Sequence, residues 1–516
     1  MNRTLAKGAV AAGHAATAEA AAFALREGGN AFDAAIAAQW TACVAEPVLT
    51  SLGGGGFLMA QPENGQACVY DFFAQTPGHK RSDADIDFHP IQADFGTTQQ
   101  EFHIGYGAVA TPGAVRGLFA IHRDLGGLPM PVLMEPAIEL AKKGLRVNKL
   151  QAYILNVVRP VYLATPEAAQ RFASCSDRGK LAGEGETLHL PELADTLLAL
   201  GNEGESLFYE GEIAAQIESV CRNAGGHLRR EDLAGYRVIK RDPLRIKYRS
   251  GEFLTNPPPS SGGLLIGFAL KLLEKLSTKG LCIDSTQGIS RLAEVMHVTN
   301  EARLDRTDKL NEQLLDSELL KQYEEQIRGR KHAFRGTTHI SVIDNKGNLA
   351  SLTTSNGEGC GHMLGSTGIM LNNMLGEEDL NPRGFHTWRE NQRLTSMMAP
   401  SLLRLNDGHA VAFGSGGSNR IRSAILQVLL RLVDEQLPLA EAIERPRIHY
   451  EKGLLNIENG FDSEVYKQLQ GEFEQTRCWP DQNLFFGGVH AVSLDGEDFE
   501  YCGDRRRGGV AFLVVG

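Results

Sequence analysis

Gly336-Thr-Thr-His-Ile-Ser-Val-Ile-Asp-Asn-Lys-Gly347, continued by Asn348-Leu-Ala-Ser-Leu-Thr-Thr-Ser355, is the stretch from which the fold is read. Threonine, isoleucine and valine recur through it, residue types that suit a pleated, half-buried surface. Asp344-Asn-Lys-Gly347 is a turn signal between the two halves. The spacing predicts strands over 338–343 and 349–355 joined as a hairpin, which returns Ser355 to the side of Thr337. On one reading Thr337 and Thr338 are ordinary β-branched strand residues. On another, Thr337 is a nucleophile. A threonine hydroxyl attacks only with a base in reach, and a chain-terminal α-amine, with a pKa of about 8, is such a base. That amine exists only after a cut between Gly336 and Thr337, so the uncut chain would be an inactive precursor. Gly336 is small enough to crowd nothing, and the returning Ser355 hydroxyl would orient the nucleophile.

Upstream of this hairpin the texture is different. The segment 312–330 is charge-dense and reads as a helix, and 329–335 has no periodicity and reads as a mobile surface tether. Helices are predicted over 17–27, stopped by Gly28 and Gly29, and over 31–44, where Phe32, Ala35, Ile36 and Trp40 mark a buried face. Further helices are expected at 113–125, 131–143, 209–223, 262–276 and 290–308. A second hairpin is read from 57–60 and 67–73 around Glu63-Asn-Gly65. Downstream come strands at 401–405 and 409–413, a helix at 421–435, and closing strands near 488–494 and 509–515.

Composition narrows the function classes. The chain has 516 residues, 42% apolar and 22% charged, so it can bury a sizeable core, and its 57 glycines point to tight turns and close backbone approaches. Its 52 Lys and Arg against 63 Asp and Glu give a net charge of −11 with no basic stripe, which argues against a nucleic-acid partner. The run Arg505-Arg-Arg507 reads as a solvated turn. Nothing resembles an export signal or a membrane-spanning run, and the eight cysteines are scattered without a CxxC pair, so reduced thiols in a cytoplasmic protein are expected. His297, His332, His362 and His449 are dispersed, there is no HExxH and no Gly-x-Ser-x-Gly, and the glycines at 53–56 lack the partners of a phosphate cradle. No cofactor or metal is expected. His339, on the same strand face as Thr337, reads as a packing or hydrogen-bonding residue and not as a base.

With those motifs in hand, Gly336-Thr-Thr-His-Ile-Ser-Val342 resembles the start of the small subunit of the γ-glutamyltransferase family, within the N-terminal-nucleophile hydrolases. The likeness extends through Gly368-Ile-Met-Leu-Asn-Asn373, Leu394-Thr-Ser-Met-Met-Ala-Pro400, Gly414-Ser-Gly-Gly-Ser418 and Arg445-Pro-Arg-Ile-His449. Upstream it takes in Glu27-Gly-Gly-Asn-Ala-Phe-Asp-Ala34, the run 53–56, Ala110-Thr-Pro-Gly113 and Asn256-Pro-Pro-Pro-Ser-Ser-Gly-Gly263, so it covers nearly the whole chain. The resemblance implies a four-layer αββα sandwich of the α/β (α+β) class. Residues 1–336 would be the large subunit and 337–516 the small one, cut apart autocatalytically yet intertwined. It implies Thr337 as nucleophile, Ser355 beside it, and the backbone N–H groups of Gly416 and Gly417 as the oxyanion hole, where only glycine permits so close an approach. The partners it implies are a small-molecule amide and water or an amine acceptor, with a homo-oligomer left open and no membrane.

The pattern also departs from the family. Members that grip a free γ-glutamyl group carry an arginine after an Asp-Phe pair, and here Asp71-Phe72 is followed by Phe73, so the bidentate guanidinium is missing. Thr395-Ser396 match the serine pair, Glu377 matches the acid that binds the α-amino group, with Glu378 and Asp379 beside it, and Asn356 joins these as a substrate-binding candidate. The connection from Glu377 to Thr395 is short, which implies an open pocket with Phe73 as an apolar wall. The expected activity is therefore an acyl hydrolase or transferase on a γ-glutamyl or related amide. The alternatives are an amidase on a glutaryl-type substrate and an unprocessed, non-catalytic homologue.

Overall fold

The structure, a computed structural model, describes residues 6–94, 99–276, 282–305, 312–315, 336–381 and 383–516. Most of the helix expected at 312–330, the tether at 329–335 and the end of the helix expected at 290–308 lie outside the described residues.

Thirteen strands build two antiparallel sheets. In chain order they are β1 (Ala6–Ala12), β2 (Gly55–Gln61), β3 (Cys68–Phe72), β4 (Ile239–Arg241), β5 (Leu244–Tyr248), β6 (Gly251–Thr255), β7 (Thr338–Asp344), β8 (Leu349–Ser355), β9 (Ser401–Leu405), β10 (Ala410–Gly416), β11 (Gly488–Asp495), β12 (Asp498–Cys502) and β13 (Val510–Val515). The first sheet runs β13-β1-β7-β8-β2-β3-β4 and the second β12-β11-β10-β9-β6-β5. The predicted hairpin is the centre of the first sheet, with Thr338 opposite Thr354 and Ile343 opposite Leu349.

Alternation along these strands sorts their side chains into two layers. Val10, Ala12, Leu58, Ile340, Val342 and Leu352 join the core formed with helices α1 (Ala15–Arg26) and α2 (Ala31–Ala45). Ala9, Ala11, Phe57, Met59 and Ile343 join the core shared with the second sheet and its helices α3 (Gly262–Lys275), α4 (Thr286–Asp305) and α5 (Arg420–Val433). Helix, sheet, sheet, helix is the four-layer order expected.

Local chemistry ties the layers together. Asn30 caps α2 in a reciprocal box with Asp33, and the Asp344 carboxylate accepts the Ala31 N–H at 2.9 Å, so the hairpin turn docks on a helix N-terminus. Between the sheets, Ser341 donates to the His490 carbonyl at 3.1 Å and Ser351 to the Phe413 carbonyl at 2.9 Å.

Several elements were not anticipated. β1 reads Ala-Lys-Gly-Ala-Val-Ala-Ala, poor in β-formers, and is held as a strand by pairing on both edges with β7 and β13. β4, β5, β6 and β12 were also missed, and the helix expected over 209–223 is broken at Gly211 into Ser206–Tyr209 and Glu212–Asn223. All eight cysteines are free thiols. Among the described residues no helix is long and apolar enough to cross a membrane.

Candidate active site

Thr337 precedes β7 at the end of a strand central to its sheet, and it is 4% exposed. The carbonyl oxygen of Gly336 accepts two hydroxyls, Thr337 Oγ1 at 2.7 Å and Ser355 Oγ at 2.7 Å. Ser355 in turn accepts the Gly357 N–H at 3.0 Å, which fixes the direction of its own proton. The hairpin register thus delivers Ser355 to Thr337 as the turn signal predicts.

The glycine run 53–56 explains how these strands come so close. A Cβ on Gly54 would stand 2.4 Å from the Ser355 carbonyl oxygen, and one on Gly56 would stand 2.5 Å from that of Thr353. The second glycine pair closes the opposite side. A Cβ on Gly416 would lie 2.3 Å from the Thr337 carbonyl oxygen, and Gly417 has φ +121°, a conformation that disfavours any side chain.

Ionic groups to which the sequence reading gave no part in the site flank the Gly336–Thr337 bond. Glu358 Oε1 accepts the Gly336 N–H at 2.7 Å, and the Glu358 N–H is itself held by Asn373 Oδ1 at 2.8 Å. Arg507 Nη1 donates to the Thr337 carbonyl at 3.3 Å. Glu46 accepts the hydroxyls of Thr338 at 2.7 Å and Thr17 at 2.8 Å, and burial raises its pKa above the ordinary carboxyl value. Burial likewise lowers Arg507 to about 10, with Glu358, Asp504 and Glu46 as opposing charges, so it stays a cation at neutral pH. Arg505-Arg-Arg507 is therefore not a solvated turn, since Arg506 and Arg507 are buried. Asp504 caps this turn through the Arg506 N–H and pairs with Arg447 at 2.7 Å. Glu358 sits among glycines and Arg507 in a basic run near the C-terminus, settings that ordinarily mark surface.

His339 is buried between the sheets, with Nδ1 2.8 Å from Thr353 Oγ1 and Nε2 2.9 Å from Ser341 Oγ. Burial holds its pKa well below the ordinary value. Both ring nitrogens are occupied by sheet hydroxyls, the packing role expected of it.

The expected substrate-binding residues divide. A cavity of about 240 Å³ is lined by Ser261, Arg303, Asp379, Arg389, Arg393 and Thr395, among others. Asp379 pairs with Arg303 at 3.1 Å and accepts the Ser418 hydroxyl at 3.1 Å, which links the cavity to the glycine pair through one residue. Thr395 lines the cavity, whereas Ser396 is buried with its Oγ accepting the Met398 N–H at 3.1 Å. Glu377 is buried beside Gly357, two residues from the acid that lines the cavity. Asn356 follows Ser355 and is fully buried, its amide nitrogen directed at the Met370 carbonyl 3.5 Å away. Phe73 does not form a wall of this cavity: it is 1% exposed and stacks on Phe57 with centroids 5.4 Å apart. The short connection after Glu377 is itself one wall, through Thr387, Trp388, Arg389 and Gln392. Arg393 also enters here, bonded to the Phe73 carbonyl and 3.3 Å from Asp71. Among the described residues no cluster of His, Cys, Asp and Glu has a metal-binding arrangement.

A family model described as gamma-glutamyltranspeptidase matches residues 17–514. The glutathione hydrolase proenzyme of Escherichia coli (strain K12) is 30% identical over 87% of this chain and 82% of its own length. The acylase ACY 1 proenzyme of Pseudomonas sp. (strain SE83) is 29% identical over 95% of this chain and 90% of its own. Among solved structures, the cephalosporin acylase from Bacillus halodurans superposes with a TM-score of 0.85 at 24% identity, covering 98% of this chain and 96% of that one, and so shares the fold.

Proposed function

Because this chain belongs to the gamma-glutamyltranspeptidase family, we propose that it cuts itself between Gly336 and Thr337 and then uses Thr337 to hydrolyse or transfer an acyl group from a small-molecule amide. The observation that carries this reading is the meeting of the Thr337 and Ser355 hydroxyls on one carbonyl oxygen, that of Gly336, each at 2.7 Å.

In self-cleavage, Thr337 Oγ1 adds to the Gly336 carbonyl carbon while Ser355 stabilises the developing oxyanion. The C–N bond breaks, the hydroxyl proton ends on the leaving nitrogen, and Gly336 is left as an ester on Thr337. Water then hydrolyses that ester, giving Gly336 a carboxylate and Thr337 a free hydroxyl and a free α-amine. In turnover the amine takes the hydroxyl proton as Oγ1 attacks the substrate carbonyl. Gly416 and Gly417 serve the oxyanion, the amine product leaves, and water or a second amine releases the acyl group. Residues 1–336 and 337–516 are then the two subunits.

For the acyl group we favour one that ends in a carboxylate, γ-glutamyl or glutaryl. The relatives named as glutathione hydrolases support the first. The second is supported by the residues in the cavity. Phe73, which lies outside the cavity, holds the sequence position of the family's guanidinium, while in the cavity Asp379 is already engaged by Arg303 and Ser418, and Arg389, one of its lining residues, has no side-chain partner among the described residues. An acid committed to a cation is a weaker ligand for an α-ammonium group, while an uncommitted arginine suits a carboxylate.

The test is release of p-nitroaniline from γ-glutamyl and glutaryl p-nitroanilides, assayed side by side. We expect turnover of at least one, a higher kcat/KM on the glutaryl substrate, none with Thr337→Ala and about a hundredfold less with Ser355→Ala. Cut protein that is inert on both, or a Thr337→Ala protein that remains active, contradicts the reading.

A further inference from the structure

The two residues that flank the bond to be cut are gripped from opposite sides by buried ions. Glu358, 2% exposed, takes the Gly336 N–H on Oε1 at 2.7 Å, and Arg507 gives Nη1 to the Thr337 carbonyl at 3.3 Å. Between these grips the Gly336 carbonyl receives its two hydroxyls. A peptide plane whose neighbouring N–H and C=O are both fixed has little freedom to turn its carbonyl away from the attacking oxygen. Attack geometry of this kind is where positioning yields large rate factors.

We propose that Glu358 is a positioning residue for self-cleavage, its carboxylate holding the Gly336 N–H so that the scissile carbonyl stays under Thr337 Oγ1, with Arg507 steadying the other side. The inference rests on the self-cleavage reading above. The loop backbone is also anchored independently of this carboxylate, through the Glu358 N–H on Asn373 Oδ1 and the Gly357 N–H on Ser355 Oγ. What points to a role in cutting is where the carboxylate sits: its Oε1 takes the N–H of the residue whose carbonyl is attacked, next to the bond that is broken. Reach is what the role demands. Glutamine offers an acceptor oxygen at the same distance without the charge, and aspartate keeps the charge but stops one methylene short.

The experiment is timed in vitro translation of the full chain, quenched at intervals, with loss of the uncut 56.1 kDa band read on gels. Glu358→Gln is expected to cut within about threefold of the unmodified chain, and Glu358→Asp at least tenfold slower. Melting temperatures of the purified proteins, expected to agree within a few degrees, separate slow cutting from misfolding. A slow Glu358→Gln or a fast Glu358→Asp overturns the proposal, because charge or nothing would then matter in place of reach. An unmodified chain that never cuts sinks the self-cleavage reading and this proposal with it, whereas a chain that cuts while Glu358→Gln does not sinks this proposal alone.

Discussion

Gly416 stands with its α-carbon against the carbonyl of Thr337, where an added methyl would lie 2.3 Å from the oxygen. No side-chain rotation relieves such a contact, since a Cβ is fixed by its own backbone, Gly416 is paired in its strand, and the atom it meets is a backbone oxygen. Gly416→Ala is therefore expected to fold with a lower melting temperature and to lose at least about tenfold in cutting rate, because the methyl displaces the nucleophile's own peptide. Gels of the expressed variant measure the loss. At this scale the sequence was legible where a side chain's role follows from its spacing. Thr337 and Ser355 are placed by the hairpin, and the glycine pair by the strand that ends in it. Glu358 and Arg507 were not legible, because burial of a charge depends on partners distant in the chain. Arg507 is buried with its guanidinium on the Thr337 carbonyl, 170 residues away, and no local pattern around residue 505 announces that. Phe73 was expected to wall the pocket, but its ring is stacked instead on Phe57 of the neighbouring strand.

Between the two central strands and the facing sheet, polar side chains replace some of the usual aliphatic filling, and this gives the hairpin a pH signature. His490 on β11 accepts the Asp504 N–H on Nδ1 at 3.2 Å, a bond that only the unprotonated ring nitrogen can make. Burial lowers its pKa from 6.5 to about 4. Between those values the unfolded chain binds a proton that the folded chain refuses. The stabilisation is full above pH 6.5 and is lost as the pH falls toward 4, by about 3 kcal/mol for this residue alone. Asp504, held down at about 2 by its arginines despite burial, adds its own loss only below the ordinary carboxylate range. Melting curves at pH 7 and pH 4.5 should show a drop for the unmodified chain and a smaller drop for His490→Asn. Equal drops would mean that His490 already titrates normally. Strands rich in Thr, Ile and Val, such as β7 and β8, announced themselves by composition. β1, built mostly of alanine, did not, since only its two neighbours make it a strand.

Across the whole molecule the chain crosses between the two proposed subunits repeatedly. β1 lies between β13 and β7, β2 pairs with β8, and β6 pairs with β9, so each sheet is laced from residues on both sides of position 336. A single cut there leaves two chains that share two sheets and two cores and cannot part without unfolding both. The four-layer order was readable from the sequence through the likeness of long motifs spread from Glu27 to His449. The cavity joined to the glycine pair through Asp379 and Ser418 was not, because its walls come from α4, the segment after Glu377 and the turn at Pro259, which meet only in the folded chain. The central claim is that Thr337 becomes a chain terminus and that its freed amine is the catalytic base. N-terminal sequencing of purified, active protein tests it most directly: the account predicts two sequences, one of them beginning Thr-Thr-His-Ile-Ser from Thr337. Active protein that yields one sequence only, with residues 336 and 337 still joined in its intact mass, would contradict it.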